Sequence, residues 1–239
     1  MATALDARPT GIRGNTLRTL LDCWLEFTRR GSFRVVLVFF CAALGLRLGL
    51  GRWSWRDLVA VAAVAAAQPF VEWLIHVYLL HCKPVRIGSR THDFATARFH
   101  RRHHNDPDDL DYTLLPAAVA TIFCVQIALG MAVVAIPIAW LTHGSWLLIA
   151  TTCTLAGYAG LAVYEWIHFL IHTGYAPRSR AYAVVWRNHR LHHYKNEAYW
   201  FGITTNVGDI VLRTNPAQAT VPKSPTARTL GVDVSLPAR

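Results

Sequence analysis

The sequence predicts an all-α integral membrane protein, a helical bundle of about four transmembrane helices with a helical cap on the cytoplasmic face. Three observations predict it. The 239-residue chain is 53% hydrophobic and only 16% charged, which departs from the balance of a soluble domain. Long apolar runs alternate with short basic segments. Ten of the twelve histidines fall into four spaced clusters, at 76/81, 100/103/104, 168/172 and 189/192/193, with only His92 and His143 outside them.

Taken in order, residues 1–33 read as an N-terminal tail with a candidate interfacial helix. Pro9, Gly11 and Gly14 interrupt residues 1–16 with no apolar periodicity, so this part reads as loose. No signal peptide is evident, because the first strongly apolar run begins after Phe33. Residues 17–30 pattern as an amphipathic helix, with Leu20, Leu21, Trp24 and Phe27 on one side and arginines at its end. That pattern fits a helix lying on a membrane and an ordinary packed helix equally well.

Residues 34–214 read as the membrane domain. Val35–Leu46 is twelve residues before Arg47, short for a full crossing, whereas Leu58–Leu80, Leu114–Trp140 and Trp146–Tyr164 reach the necessary length. Trp53, Trp55, Trp140 and Trp146 fall at the predicted outer ends, where aromatic side chains favour the membrane–water boundary. Lys and Arg set the orientation. Twenty-one lie before Val35, between Lys83 and Arg102, or after Tyr175; only Arg47, Arg52 and Arg56 fall in the predicted outer loops. This asymmetry places both termini and the 82–113 loop in the cytoplasm. The net charge of +10 is then a topology signal, secondarily an attraction to anionic headgroups, and nucleic-acid binding is not needed to explain it.

The histidine spacing carries the chemistry. His100-x-x-His103-His104 and His189-x-x-His192-His193 share one pattern. On a helix, residues four apart share a face while the third points aside, so His100 and His104 can grip one ion and His103 a second. Imidazole is the commonest protein ligand for first-row metals. The pair His76/His81 is five apart, about 140° around an ideal helix; a π-bulge, or a helix end near Pro84, would bring the two rings together. Val71–His76 and Tyr164–His168 resemble each other, which reads either as a weak internal duplication building a two-metal site or as a coincidence of Trp-rich helix ends. The five cysteines are scattered and include no C-x-x-C pair, so neither a disulfide framework nor a thiolate zinc site is indicated.

These motifs resemble the fatty acid hydroxylase superfamily, and above all the fatty acid 2-hydroxylases. The resemblance rests on Glu72–His81, His100–Pro116, Tyr164–Tyr175 and His189–Thr214, the last including Trp200-Phe201-Gly202-Ile203-Thr204. It implies a di-metal oxidase in which His76, His81, His100, His104 and His192 hold one ion, and His103, His168, His172, His189 and His193 the other. It further implies two iron ions (zinc can substitute on purification), O2 as co-substrate and a fatty acyl chain as the lipid substrate. No His-Pro-Gly-Gly haem motif occurs, and no haem or flavin is expected in this chain. The expected electron donor is therefore a separate ferredoxin or cytochrome b5-type protein. The alternatives carried beside hydroxylation are lipid or sterol desaturation, and a non-enzymatic membrane metal-binding or transport protein; transport is disfavoured because ligands at helix ends do not line a midplane pathway.

Around the ligands, Glu72 lies one turn before His76 and Glu165 seven residues before His172, so each is a candidate to hydrogen-bond a ligand imidazole. Asp209 is either structural or a further such candidate. The run Asp106, Asp108, Asp109 and Asp111 reads first as a solvated loop, and Tyr78, Tyr164 and Tyr194 first as aromatic packing. Residues 215–239, with Pro216, Pro222, Pro225 and Pro237 among small polar residues, read as a disordered C-terminal tail.

Overall fold

The computed structural model describes residues 11–232. Among these residues are eight α-helices: α1 (Leu20–Arg29), α2 (Gly31–Leu50), α3 (Trp55–Leu74), α4 (Ala95–Asn105), α5 (Ala117–Thr142), α6 (Trp146–Ile171), α7 (Arg180–Tyr194) and α8 (Val207–Val211). A π-helical stretch, Ile75–Leu80, prolongs α3, and β1 (Val85–Ile87) pairs antiparallel with β2 (Arg90–His92). Two compact units result. One is formed by Glu26–Gln68 with Pro116–Trp166; the other by the described residues up to Leu25, Pro69–Leu115 and those from Ile167 onward.

Within the first unit, helices long and apolar enough to cross a membrane pack through small side chains. The described residues include four such helices: Gly31–Leu50, Trp55–Leu80, Ala117–Thr142 and Trp146–Ile171. Ala60 and Val64 of α3 meet Ala135, Ile138 and Ala139 of α5 and Ile149, Ala150 and Cys153 of α6. A second cluster joins Val36 of α2, Cys124 of α5 and Tyr158 of α6, whose hydroxyl donates to the Cys124 carbonyl at 2.9 Å. Small residues let membrane helices approach closely, where packing rather than water drives association. Leu129, Val133, Trp140 and Leu141 face outward, as lipid-facing side chains do.

The short apolar run Val35–Leu46 belongs to a full twenty-residue helix, because Arg47 does not end it. Arg47 is fully buried: Nε donates to Thr152 Oγ1 at 2.7 Å, one terminal nitrogen to the Gly51 carbonyl at 2.5 Å and the other to Asp57 Oδ1 at 2.6 Å. Trp53 stacks on the guanidinium at 3.8 Å. A run-length count sees a charge; the fold supplies its partner from α3.

The termini of the described region also depart from the composition. Thr19 and Asp22 cap α1 reciprocally, since Asp22 N–H donates to Thr19 Oγ1 at 3.1 Å and Thr19 N–H to Asp22 Oδ2 at 3.3 Å. This helix exposes Leu20, Leu21, Trp24 and Leu25 but buries Phe27 with Cys23, so Phe27 parts from the side predicted for it. Residues 11–16 are anchored, not loose. Arg13 grips both oxygens of Asp106 at 2.5 and 2.9 Å, and Gly14 N–H donates to the Asp108 carbonyl at 2.8 Å. The acidic run thus docks the N-terminal segment. Gly14 lies so close to His172 that a Cβ there would sit 1.8 Å from the His172 carbonyl oxygen, so only glycine fits. At the other end, residues 215–232 fold back on the chain instead of forming a disordered tail: Ser224 N–H donates to the Lys195 carbonyl at 2.7 Å and Asn196 Nδ2 to the Pro222 carbonyl at 3.2 Å. Low hydrophobicity signals disorder only when polar groups find no partners, and here backbone carbonyls supply them. Residues 1–10 and 233–239 lie outside the described residues.

The buried Arg47–Asp57 pair gives the first prediction. Arg47→Ala leaves a carboxylate buried without its cation and is expected to cost about 3–5 kcal/mol, read by denaturation of the purified protein in micelles. Arg47→Met combined with Asp57→Leu is expected to recover most of that loss. An Arg47→Ala protein within about 1 kcal/mol of the parent would refute the role given to this pair.

Candidate metal centre

Each histidine cluster sits at the C-terminal end of a helix, and local geometry sets how its rings point. In α4 and α7 the i, i+4 spacing sets His100 edge-to-face with His104 and His189 with His193, with ring centroids 4.7 and 4.5 Å apart. For His76 and His81 the chain switches to π-helix: His81 N–H donates to the His76 carbonyl at 3.1 Å, a five-residue step. The wider turn swings two residues five apart onto one side, and their ring centroids lie 4.9 Å apart. His168 and His172 stand one turn apart at the end of α6 and the residue after it, with centroids 5.0 Å apart.

All ten clustered histidines belong to the second unit, and they assemble into two groups of five. His76, His81, His100, His104 and His192 bring one nitrogen each to within 4.8 Å of every other, and His103, His168, His172, His189 and His193 do the same. The membership coincides with the division that the resemblance implied. The groups adjoin, with His104 and His193 ring centroids only 4.1 Å apart. Each half of the chain lends one ring to the other group, His103 from α4 and His192 from α7.

Backbone carbonyls decide which nitrogen faces inward. The Nδ1–H of His76 donates to the Phe201 carbonyl at 2.7 Å, that of His192 to the Tyr199 carbonyl at 2.7 Å and that of His104 to the Ala227 carbonyl at 2.8 Å. A carbonyl oxygen only accepts, so in each ring Nδ1 carries the proton and Nε2 presents its lone pair. His168 and His172 hydrogen-bond the backbone at Thr113 and Pro107. This carbonyl-to-imidazole arrangement fixes tautomer and ring orientation at metal sites.

The inward nitrogens suit a cation better than one another. Nε2 atoms meet at 3.1 Å for His76 and His100, 3.2 Å for His81 and His192, 3.0 Å for His172 and His189, and 2.9 Å for His189 and His193. Two nitrogens each about 2.1 Å from one ion stand about 3 Å apart at right angles and about 4 Å apart when opposite. Buried Nε2 of His104 and both ring nitrogens of His103 have no hydrogen-bond partner among the described residues, which a shared ion would remedy. Burial, reinforced by neighbouring rings, presses His81, His100, His103, His172, His189 and His193 well below the ordinary imidazole value. His192 is pushed down in the same way, and His104 to about 3. All eight are neutral at pH 7, the form that binds a metal.

Two of the three candidate acids hold the turn beside the rings. Asp209 is fully buried; Oδ1 accepts from Phe201 N–H at 2.9 Å and Thr214 Oγ1 at 2.6 Å, and Oδ2 from Gly202 N–H at 2.7 Å. It thereby fixes the turn whose carbonyls hold His76 and His192. Gly202 is required there, since a Cβ would lie 2.2 Å from the Thr205 carbonyl, and Trp200 sits in the left-handed region at φ 59°. Glu72 anchors the far side of this turn, accepting from Thr204 Oγ1 at 2.6 Å and Thr204 N–H at 3.2 Å. Glu165 belongs to the first unit, where its Oε1 accepts from the Ser32 hydroxyl. The carbonyls of Tyr199, Phe201 and Ala227 were not among the residues singled out from sequence; the Trp-Phe-Gly-Ile-Thr run marked the right turn without revealing that its backbone does the work.

A family model described as fatty acid hydroxylase matches residues 61–214. Curated relatives include a fatty acid 2-hydroxylase of Rattus norvegicus, 28% identical over 162 residues that cover 64% of this chain and 38% of that protein. The fatty acid 2-hydroxylase of Homo sapiens is 26% identical over 153 residues, 60% of this chain and 36% of that protein. The chain thus spans little more than a third of the length of these relatives. Among solved structures, full-length scs7p, in which only the hydroxylase domain is visible, shares the fold with a TM-score of 0.61 over 86% of this chain and 73% of that one, at 20% identity. All ten clustered histidines and the turn that orients His76 and His192 fall inside the matched stretch, and the chain belongs to the fatty acid hydroxylase family.

Proposed function

We propose that the chain is a membrane-bound di-iron oxygenase that hydroxylates a fatty acyl chain, using O2 and electrons from a separate ferredoxin or cytochrome b5-type protein. The observation that carries this reading is the pair of adjoining five-imidazole groups with their lone pairs converging. A site that only had to hold a structural ion would close with four ligands, and breaking an unactivated C–H bond needs an oxidant that no side chain provides. Two reduced irons, when bound, supply the redox capacity for that step; one O2, two electrons and two protons turn one C–H into C–OH and release one water. Zinc can replace iron on purification because imidazole sites favour it in the affinity order.

In this reading the protein's own groups position and protect. The carbonyls of Tyr199, Phe201 and Ala227 keep Nε2 of His192, His76 and His104 unprotonated and aimed inward. Asp209 and Glu72 hold the turn that carries two of those carbonyls. Burial of the rings keeps water from the reacting methylene. The excess of Lys and Arg on one side of the spans supports a cytoplasmic location for both termini and the histidine groups. The exposed Leu20, Leu21, Trp24 and Leu25 support an interfacial placement of α1.

Three outcomes test this reading. Anaerobic loading of the full chain with Fe²⁺ is expected to reach about two irons per chain, and His103→Ala and His104→Ala each about one, because the two rings serve different groups. Unchanged loading in both variants would refute the ligand assignment. The metal-free protein is expected to lose thermal stability steadily as pH falls from about 7 to 5. Unfolded imidazoles take up protons below about 6.5 while the buried ones, with His104 at about 3, refuse them; stability is therefore present above the unfolded value and lost below it. A flat profile would mean these rings are not desolvated. Finally, lipid mass spectrometry of cells expressing the intact chain is expected to show a mono-oxygenated acyl product absent with His104→Ala. An extra double bond instead would indicate desaturation, and no difference, despite iron and a competent donor, would sink both.

A further inference from the structure

A cavity of about 450 Å³ lies beside the histidine groups, lined by Tyr194, Lys223, Ser224, Pro225, Ala227 and Arg228. Residues 223–228 fall outside the stretch matched by the family model. Two of the lining residues are cations, two carry hydroxyls and none is acidic. The Arg228 guanidinium donates to the Asn105 carbonyl, through Nε at 3.1 Å, and stands 5.4 Å from the Tyr194 ring centre; neither partner cancels its charge. Of the acids near it, Asp106 is paired with Arg13, Glu197 accepts from the Thr226 hydroxyl, and Asp108 acts on Tyr194 from outside the lining. With two cations and no acid in the lining itself, the cavity suits an anionic group.

Two walls of the cavity lead directly to the rings. Tyr194 follows His193 in the chain, and the Ala227 carbonyl accepts from His104 Nδ1 at 2.8 Å. One group of five is thus reached through each wall. The surroundings are also water-facing: Lys223 and Arg228 are exposed, and among the described residues no large hydrophobic side chain after Leu212 is exposed. A lipid headgroup would bring a tail that needs exposed apolar surface beside it, as around Val85, Ile87 and Phe94, and this face offers none.

We infer that this cavity is the docking point for an acidic one-electron carrier protein, one of whose carboxylates enters between Lys223 and Arg228. The inference rests on the oxygenase reading above, whose reaction consumes two electrons. Each encounter oxidises one reduced carrier by one electron and reduces the metal pair by one; two encounters supply one turnover, and the two protons come from water. Electron-transfer complexes are small, weak and steered by charge, which an exposed basic cavity provides without a large apolar interface.

The test uses the full chain in nanodiscs of neutral phosphatidylcholine with a plant-type [2Fe–2S] ferredoxin as the probe. Binding is followed by biolayer interferometry at two salt concentrations, and metal content is measured on the same samples. Lys223→Glu, an exposed substitution, is expected to weaken binding about 5-fold, and Lys223→Glu with Arg228→Glu about 20-fold or more, with a shallower salt dependence. Arg86→Glu with Arg90→Glu, an equal charge change on the exposed β1–β2 hairpin, is expected to stay within about 2-fold of the parent. Equal binding by the cavity variants and the parent, or an equal loss in the hairpin variant, would overturn the assignment. Tight binding of inorganic phosphate that competes with ferredoxin and disappears with Lys223→Glu would also overturn it, giving the cavity to a phosphate-bearing ligand. Acyl hydroxylation driven by dithionite separates the two readings. If it persists while the cavity variants bind ferredoxin normally, docking fails alone; if no lipid is oxidised while the binding pattern holds, the oxygenase reading fails alone.

Discussion

Hydrogen bonds from imidazole Nδ1 to backbone carbonyls are the constraint on which the rest of the second unit depends. Ten imidazoles brought together, nine of them buried, have no reason to converge on their Nε2 atoms; left alone, each would rotate or take a proton to pair with a neighbour. The carbonyls of Phe201, Tyr199 and Ala227 remove that freedom for His76, His192 and His104. Those carbonyls are themselves held, Phe201 through Asp209 and the turn around it through Glu72. A chain of order therefore runs from two buried carboxylates, through a tight turn that only glycine permits at position 202, to the lone pairs facing the centre. Dipoles of this kind are fixed in advance and need no rearrangement when charge arrives.

The same constraint explains which features were legible in the sequence. Spacing gave the shared faces of His100/His104 and His189/His193, because a helix repeats its geometry without reference to anything outside itself. The five-residue step from His76 to His81 was readable only as a need: something had to widen the turn, and the π-helix Ile75–Leu80 does so. Run length gave three of the long apolar helices and shortened the fourth, because Arg47 looks like an end until Asp57 and Thr152 are seen beside it. The roles of Tyr199, Phe201 and Ala227 left no trace in residue identity, since the acting atom is a backbone oxygen that every residue owns. Residues 11–16 and 215–232 were misjudged for a related reason. Gly14 and Ser224 are held by main-chain hydrogen bonds to partners about 94 and 29 residues away along the chain, and local composition is blind to these.

The relation between the two halves is sharper in space than in sequence. Each half supplies a helix-end pair followed by a triplet, and each triplet sends two rings to its own group and one across: His103 joins the rings of α6 and α7, and His192 joins those of α3 and α4. Neither half can complete a group of five alone. Cross-donation couples the two groups more tightly than two separate sites would be, and it accounts for the 4.1 Å approach of His104 and His193. The similarity of Val71–His76 to Tyr164–His168 accompanies this matched supply of rings from the two halves.

That exchange raises an electrostatic problem which the helices answer. Neither group contains a carboxylate, so two divalent ions bound by neutral imidazoles would carry their full charge into a buried site. Yet all four clusters stand at helix C-termini: the end of the π-stretch after α3, and the ends of α4, α6 and α7. A helix C-terminus carries about half a negative charge, and the carbonyls that hold the Nδ1 protons add their own dipoles. Four such ends lie where the rings converge and offset part of the cationic charge without introducing an acid that could be protonated. Placing histidines in the last turns of helices therefore also sets them beside the negative end of each helix dipole.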